Sequence, residues 1–95
     1  MFTLVFLDKA VRDLKSIGRA HQKIIKAKLQ ILARNPGALK NNIHRLGGIA
    51  EELYRLRVGN YRVIFKKDED RLLILIIRIG HRKDVYLRID KREDG

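Results

Sequence analysis

The sequence predicts an α+β fold: two N-terminal helices packed on a small, twisted, mostly antiparallel sheet of four or five strands. Three observations predict it. Residues 9–34 carry apolar positions at helical spacing, and residues 54–67 read as two strands around a Gly-Asn link. Residues 72–77 run apolar without polar alternation, as expected of a central strand covered on both faces. The chain has 95 residues, the size of one domain (1–95), and its 45% apolar content suffices for a core despite 35% charged residues.

In chain order, residues 2–7 (FTLVFL) form a short apolar strand paired inside the sheet. Asp8 is placed to N-cap a first helix, Lys9–Ile17, in which Ala10, Val11, Leu14 and Ile17 share a face. Gly18 stops it. A second helix, Ala20–Arg34, is expected to bury Ile24, Ile25, Leu29, Ile31 and Leu32 while Lys23, Lys26, Gln30 and Arg34 meet water. The two helices are read as an antiparallel pair over one face of the sheet. Pro36 disfavours helix at Asn35, and Gly37 completes the stop. Residues 37–52 lack a strong period. Leu39, Ile43 and Leu46 are expected to tuck under the sheet edge, with Lys40, His44 and Arg45 exposed and Gly47-Gly48 as a joint.

Tyr54–Val58 and Tyr61–Lys67 flank Gly59-Asn60, a two-residue link that tolerates positive φ and fixes a hairpin. Period-two geometry sends Tyr54, Leu56, Val58, Tyr61, Val63 and Phe65 to one face. Arg55, Arg57, Arg62, Ile64 and Lys66 take the other. Pairing Val58 with Tyr61 sets Arg57 across from Arg62, so three arginines share one side of the sheet. Like charges placed opposite each other destabilise a sheet, which points to an anion bound there. Asp68-Glu69-Asp70 then turns the chain into a strand over Arg71–Gly80, whose end adds His81, Arg82, Lys83 and Tyr86. The tail LRIDKREDG reads as a short polar end, a brief strand or helical turn.

The formal net charge is +11, from 22 Lys and Arg against 11 Asp and Glu. On so small a surface it calls for an anionic partner: nucleic acid, a ribosome or an acidic protein. There is no cysteine, which excludes disulfides and thiolate metal sites and fits a reducing cytoplasm. The start MFTLVFLDKAV lacks a basic leader and a full apolar stretch, so a secretory signal is not expected. No run approaches the ~18 apolar residues of a membrane span. Phosphate-cradling glycine loops, nucleophile elbows and HExxH are all missing, and His21, His44 and His81 are scattered. A reaction without metal or cofactor is therefore expected.

YRLRVGNYRVIF followed by IRIGHRKDVY resembles the RelE branch of the RelE/ParE toxin superfamily of bacterial and archaeal toxin–antitoxin systems. The upstream LDKAVRDLKSI, the Asn35-Pro36 step and the Leu46-Gly47 pair fit the same pattern in order, so the resemblance covers almost the whole chain. It implies a RelE-like fold and a toxin that cuts mRNA in the ribosomal A site. It also implies an acidic RelB-like antitoxin that folds over the toxin and alone carries operator-DNA binding. Carried over position by position, Arg55 and Arg57 fall where the best-known member has lysines assigned base and charge roles. Arg62 and Arg82 match phosphate-binding arginines, and Tyr86 matches a catalytic tyrosine that stacks on or hydrogen-bonds the target nucleotide. Arg45, Lys66 and Lys83 extend the expected RNA-binding set around Arg55 and Arg57.

RNA cleavage of this kind needs no metal, because the 2′-hydroxyl attacks the adjacent phosphate. The enzyme removes the 2′ proton, stabilises the phosphorane and protonates the departing 5′-oxygen. Arginine suits the middle task, since its planar fork matches phosphate oxygens. It suits the first poorly, because a pKa above ~12 leaves almost none of it neutral. No carboxylate lies between Leu53 and Lys67, which leaves His81 as the candidate acid or base by residue type. The plainer readings are edge charges for Arg55 and Arg57, an Arg82–Asp84 pair, a strand cap at His81 and core packing for Tyr54, Tyr61 and Tyr86. Two rival functions share the fold: a ParE-like toxin that inhibits gyrase by binding, and an RNA-binding module that does not cut.

Overall fold

The computed structural model describes residues 1–47 and 52–85. The elements run β1 (Thr3–Phe6), α1 (Asp8–Lys15), α2 (Arg19–Arg34), a 3-10 helix (Pro36–Asn42), β2 (Ile43–Arg45), β3 (Tyr54–Val58), β4 (Tyr61–Asp68) and β5 (Leu73–His81). The sheet has five strands in the order β1-β5-β4-β3-β2. β2 to β5 form an antiparallel meander, and β1 joins the far side of β5 as the single parallel pair. The fold is thus the predicted α+β class with a mixed, mostly antiparallel sheet.

β5 is the axis of the molecule, held by β1 on one side and β4 on the other. Its apolar run is buried on both faces, as the absence of alternation requires. Ile74, Ile76 and Ile79 enter the main core with Val63, Phe65, Leu56 and the helix residues Ala10, Leu14, Ile25, Leu29 and Leu32. Ile77 enters a second, smaller core with Leu53, Ile64 and Val85, joined by Leu46. A register shift at Ile64/Phe65 lets β5 supply one more residue than β4 at that point.

Several boundaries differ from the sequence reading, each for a local reason. Leu7, not Asp8, is the N-cap, because the Leu7 amide still donates to the Ile76 carbonyl at 3.0 Å and the chain passes straight from strand to helix. Asp8 lies in the first turn instead, where a carboxylate suits the helix dipole. α1 stops at Lys15 with Ser16 as its C-cap, so Gly18 does not end α1 but precedes α2 as its N-cap. Residues 37–52, which lack a strong period, hold most of the 3-10 helix, started by Pro36, and the edge strand β2. Leu72 is not in the last strand. It sits exposed in the turn at φ 55°, the one non-glycine residue with positive φ among those described. The tail and Tyr86 lie outside the described residues, as does Gly48.

Asp13 has no counterpart in the sequence reading. Beyond Phe6, β5 runs on without β1 beside it, and α1 covers that stretch. There the Asp13 carboxylate accepts the Ile79 amide at 2.9 Å. The same carboxylate takes a two-pronged contact from Arg78, Nε at 2.9 Å and Nη2 at 3.1 Å. One buried side chain thereby satisfies a strand edge and a guanidinium together.

Candidate functional site

The β3–β4 hairpin sets the site. Gly59 takes φ +59°, as the first central residue of a type II′ link must, while Asn60 does not share the positive φ. The link pairs Val58 with Tyr61 and Arg57 with Arg62, the register expected from the sequence. Val58 and Tyr61 then pack on the main core and Arg57 and Arg62 take the opposite side.

The end of β5 folds onto this hairpin. Tyr61 pairs with His81, and the next amide, Arg82, donates to the Asn60 carbonyl at 2.8 Å. That bond brings Arg82 to the arginine pair. Arg57, Arg62 and Arg82 line one cleft of about 470 Å³, together with Asn60 from the hairpin, Lys28 from α2 and Asn42 from the end of the 3-10 helix. Four cations thus border a single open cavity, and such a concave basic surface focuses positive potential on an anion. Lys28 and Asn42 escape a sequence reading because neither lies near the arginines in the chain.

Arg62 is held in place by its own turn. Its Nη1 donates to the carbonyls of Gly59 and Tyr61, each at 2.9 Å. The guanidinium is therefore fixed before any ligand arrives, which lowers the entropy lost on binding one. His81 is half-buried, its ring edge-on to Tyr61 at 5.9 Å between centroids. Its Nδ1 accepts the Lys83 amide at 3.3 Å, so a neutral ring in this arrangement bears its proton on Nε2.

The remaining expected residues fall elsewhere. Arg55 is half-buried in mid-strand, opposite His44 on β2 and Ile64 on β4. Arg45 pairs with Glu52 at 3.2 Å on the surface. The Lys66 and Lys83 side chains are exposed away from the cleft lining. Tyr86 lies outside the described residues. Tyr54 stacks on Phe65 with centroids 5.6 Å apart and packs on the core, as expected of it. Among the described residues, no three His, Asp or Glu side chains gather as a metal-binding group. No helix among them is long and apolar enough to cross a membrane.

This geometry coincides with similarity to known proteins. Residues 4–86 match the family described as the ParE toxin of type II toxin–antitoxin systems, parDE. A candidate toxin of Methanocaldococcus jannaschii, RelE1, is 31% identical over 86 residues, covering 90% of this chain and 94% of that protein. Two crystal structures share the fold. The archaeal RelE–RelB complex from Pyrococcus horikoshii OT3 gives a TM-score of 0.73 at 26% identity, covering 88% of this chain and 98% of its counterpart. The RelB–RelE antitoxin–toxin complex from Methanococcus jannaschii gives 0.70 at 28%, covering 88% and 96%.

Proposed function

The chain belongs to the ParE/RelE family of type II toxin–antitoxin toxins, and on that footing we propose that it arrests translation in the cytoplasm by cutting mRNA at the ribosomal A site. The observation that supports this reading best is the cleft in which Arg57, Arg62 and Arg82 converge. A cavity bordered by arginines suits a phosphate that gains negative charge during reaction.

In this reading the 2′-hydroxyl oxygen of the target nucleotide attacks its own 3′-phosphorus. The P–O5′ bond then breaks, leaving a 2′,3′-cyclic phosphate on one fragment and a 5′-hydroxyl on the other. Arg62, already fixed by its turn, and Arg82 bind the non-bridging oxygens. Arg57 and Lys28 add positive charge at the rim. His81 carries one of the two proton transfers at Nε2, which requires its 3.3 Å contact with the Lys83 amide to open. Tyr86 stacks on or hydrogen-bonds the target nucleotide, the role carried by the matching tyrosine of the family. Arg55, Arg45, Lys66 and Lys83 make weaker contacts with the surrounding phosphates. No metal is used in this reading, and among the described residues the acids do not gather in a cluster suited to paired Mg²⁺.

With translating ribosomes, the protein is expected to generate new mRNA 5′ ends inside the A-site codon. Intact message together with inhibited gyrase would assign it instead to the gyrase-binding branch, the reading suggested by the ParE description of the family.

The proposed partner is an acidic, RelB-like antitoxin that is disordered alone and orders on this surface, itself carrying any operator-DNA binding. The Pyrococcus horikoshii and Methanococcus jannaschii relatives named above were solved as complexes with RelB. Attraction to a chain of net charge +11 should make association fast at low salt. Stopped-flow association rates are expected to fall steeply as ionic strength rises. A rate indifferent to salt would remove the electrostatic basis of this pairing.

A further inference from the structure

α2 was expected to turn Ile24 into the core, yet Ile24 is 52% exposed while its neighbour Ile25 is buried. Adjacent helical residues point about 100° apart, and Ile24 falls at the margin of the core-facing stripe. Ile24 leaves it towards the hairpin. With His21 one turn earlier, it forms one wall of a second cleft, of about 250 Å³, whose other wall is Val58, Gly59, Asn60 and Tyr61. The His21 and Tyr61 rings touch each other at one side of it, 5.1 Å between centroids and tilted by 52°. This cleft is continuous with the arginine cleft: Ile24, Val58, Gly59 and Asn60 border both.

We propose that the cleft between α2 and the β3–β4 hairpin is a nucleobase subsite, holding one unpaired base of the RNA whose phosphate occupies the arginine cleft. The inference rests on the mRNA-cleaving reading given above and specifies how the substrate is seated. Three features of the cleft favour a base over a protein segment. The basic cavity opening directly from it supplies the charge that a nucleotide's phosphate needs. The walls offer an aromatic ring, an imidazole and an aliphatic face, surfaces on which any base can stack. Asn60 stands where the two cavities meet and carries an amide able both to donate and to accept at a base edge. The volume admits one base with its sugar rather than a stacked run.

The subsite predicts coupling between these residues and one nucleotide. Ribosomes programmed with an intact A-site codon, or with one whose bases are replaced singly by an abasic ribose, would be cut under single-turnover conditions. At one codon position, loss of the base should slow the wild-type protein about tenfold. His21→Ala and Ile24→Ser should each slow cutting of the intact codon by a similar factor. Neither variant should respond further to base removal at that position, although both should at the others. Both residues are exposed on a helix, and an unchanged unfolding midpoint verifies that each variant is folded. If base removal slows variants and wild type equally at all positions, the subsite is refuted. Unchanged cutting with lost antitoxin binding would refute it too, giving the cleft to a protein. Failure of the wild-type protein to cut the intact codon would instead bring down the underlying nuclease reading.

Discussion

Replacing Arg62 or Arg82 with Ala is expected to lower the mRNA-cleavage rate by a factor of ~100 or more, the usual consequence of losing a preorganised donor to developing charge. The two effects need not multiply, because both side chains serve the same phosphate. Arg62 is the more demanding case. Its guanidinium is positioned by the Gly59 and Tyr61 carbonyls, so Lys, a point charge without the planar fork, should not restore the rate. Folding should be little affected, by roughly 1 kcal/mol or less, since these groups sit on an open and mutually repulsive surface. His81→Gln should behave differently from either arginine variant. The arginine variants lower the rate across the pH range, whereas loss of a proton carrier flattens one limb of the pH–rate profile. Double Ala replacement at Arg62 and Arg82 with wild-type cutting would remove these residues from the mechanism, and an unchanged profile for His81→Gln would put the proton elsewhere.

The second large effect falls on stability, far from the cleft. Asp13→Ala should destabilise the protein by about 3–5 kcal/mol, because it strands Arg78 and the Ile79 amide at once in a poorly hydrated position. Against a total stability of roughly 5–15 kcal/mol this is a large share, equivalent to a fall in Tm of roughly 15–25 °C. Adding Arg78→Leu should recover part of the loss, since the stranded charge is then gone although the Ile79 amide still lacks the Asp13 carboxylate. Calorimetry on the two variants decides it. A loss below about 1 kcal/mol for the single variant would mean that water or another group readily replaces Asp13.

These two predictions differ in how far the sequence anticipates them. The arginine pair is legible because Gly59-Asn60 fixes a two-residue hairpin and the pleat then dictates every partner, Val58 with Tyr61 and Arg57 with Arg62. The double burial of β5 is legible for a similar reason, as uninterrupted apolar residues leave neither face for water. The Asp13–Arg78 contact is not, since the two residues lie 65 positions apart and nothing local to either marks the other. β2 escapes because three residues carry too little period, and its pairing is decided by the free edge of β3. The basic residues show the same limit within the site. Arg45, Arg55, Lys66 and Lys83 are as cationic as Arg57, Arg62 and Arg82, yet only the latter three meet in the cleft, with Lys28 arriving from a helix. Strand register foretells which residues share a face. It does not foretell what a distant helix brings to the edge of that face, which is why the meeting of His21 and Ile24 with Tyr61 is not legible in the chain.

The central claim is that the arginine cleft promotes attack by a ribose hydroxyl, and the chemistry of the cut ends tests it most directly. Translating ribosomes would be supplied with mRNA that is unmodified or carries a single 2′-deoxynucleotide at the mapped target. The unmodified message should be cut to a 2′,3′-cyclic phosphate, or its 3′-phosphate hydrolysis product, and a 5′-hydroxyl. The 2′-deoxy position should not be cut. Fragments beginning with a 5′-phosphate, or cutting that proceeds through the 2′-deoxy site, would contradict the claim.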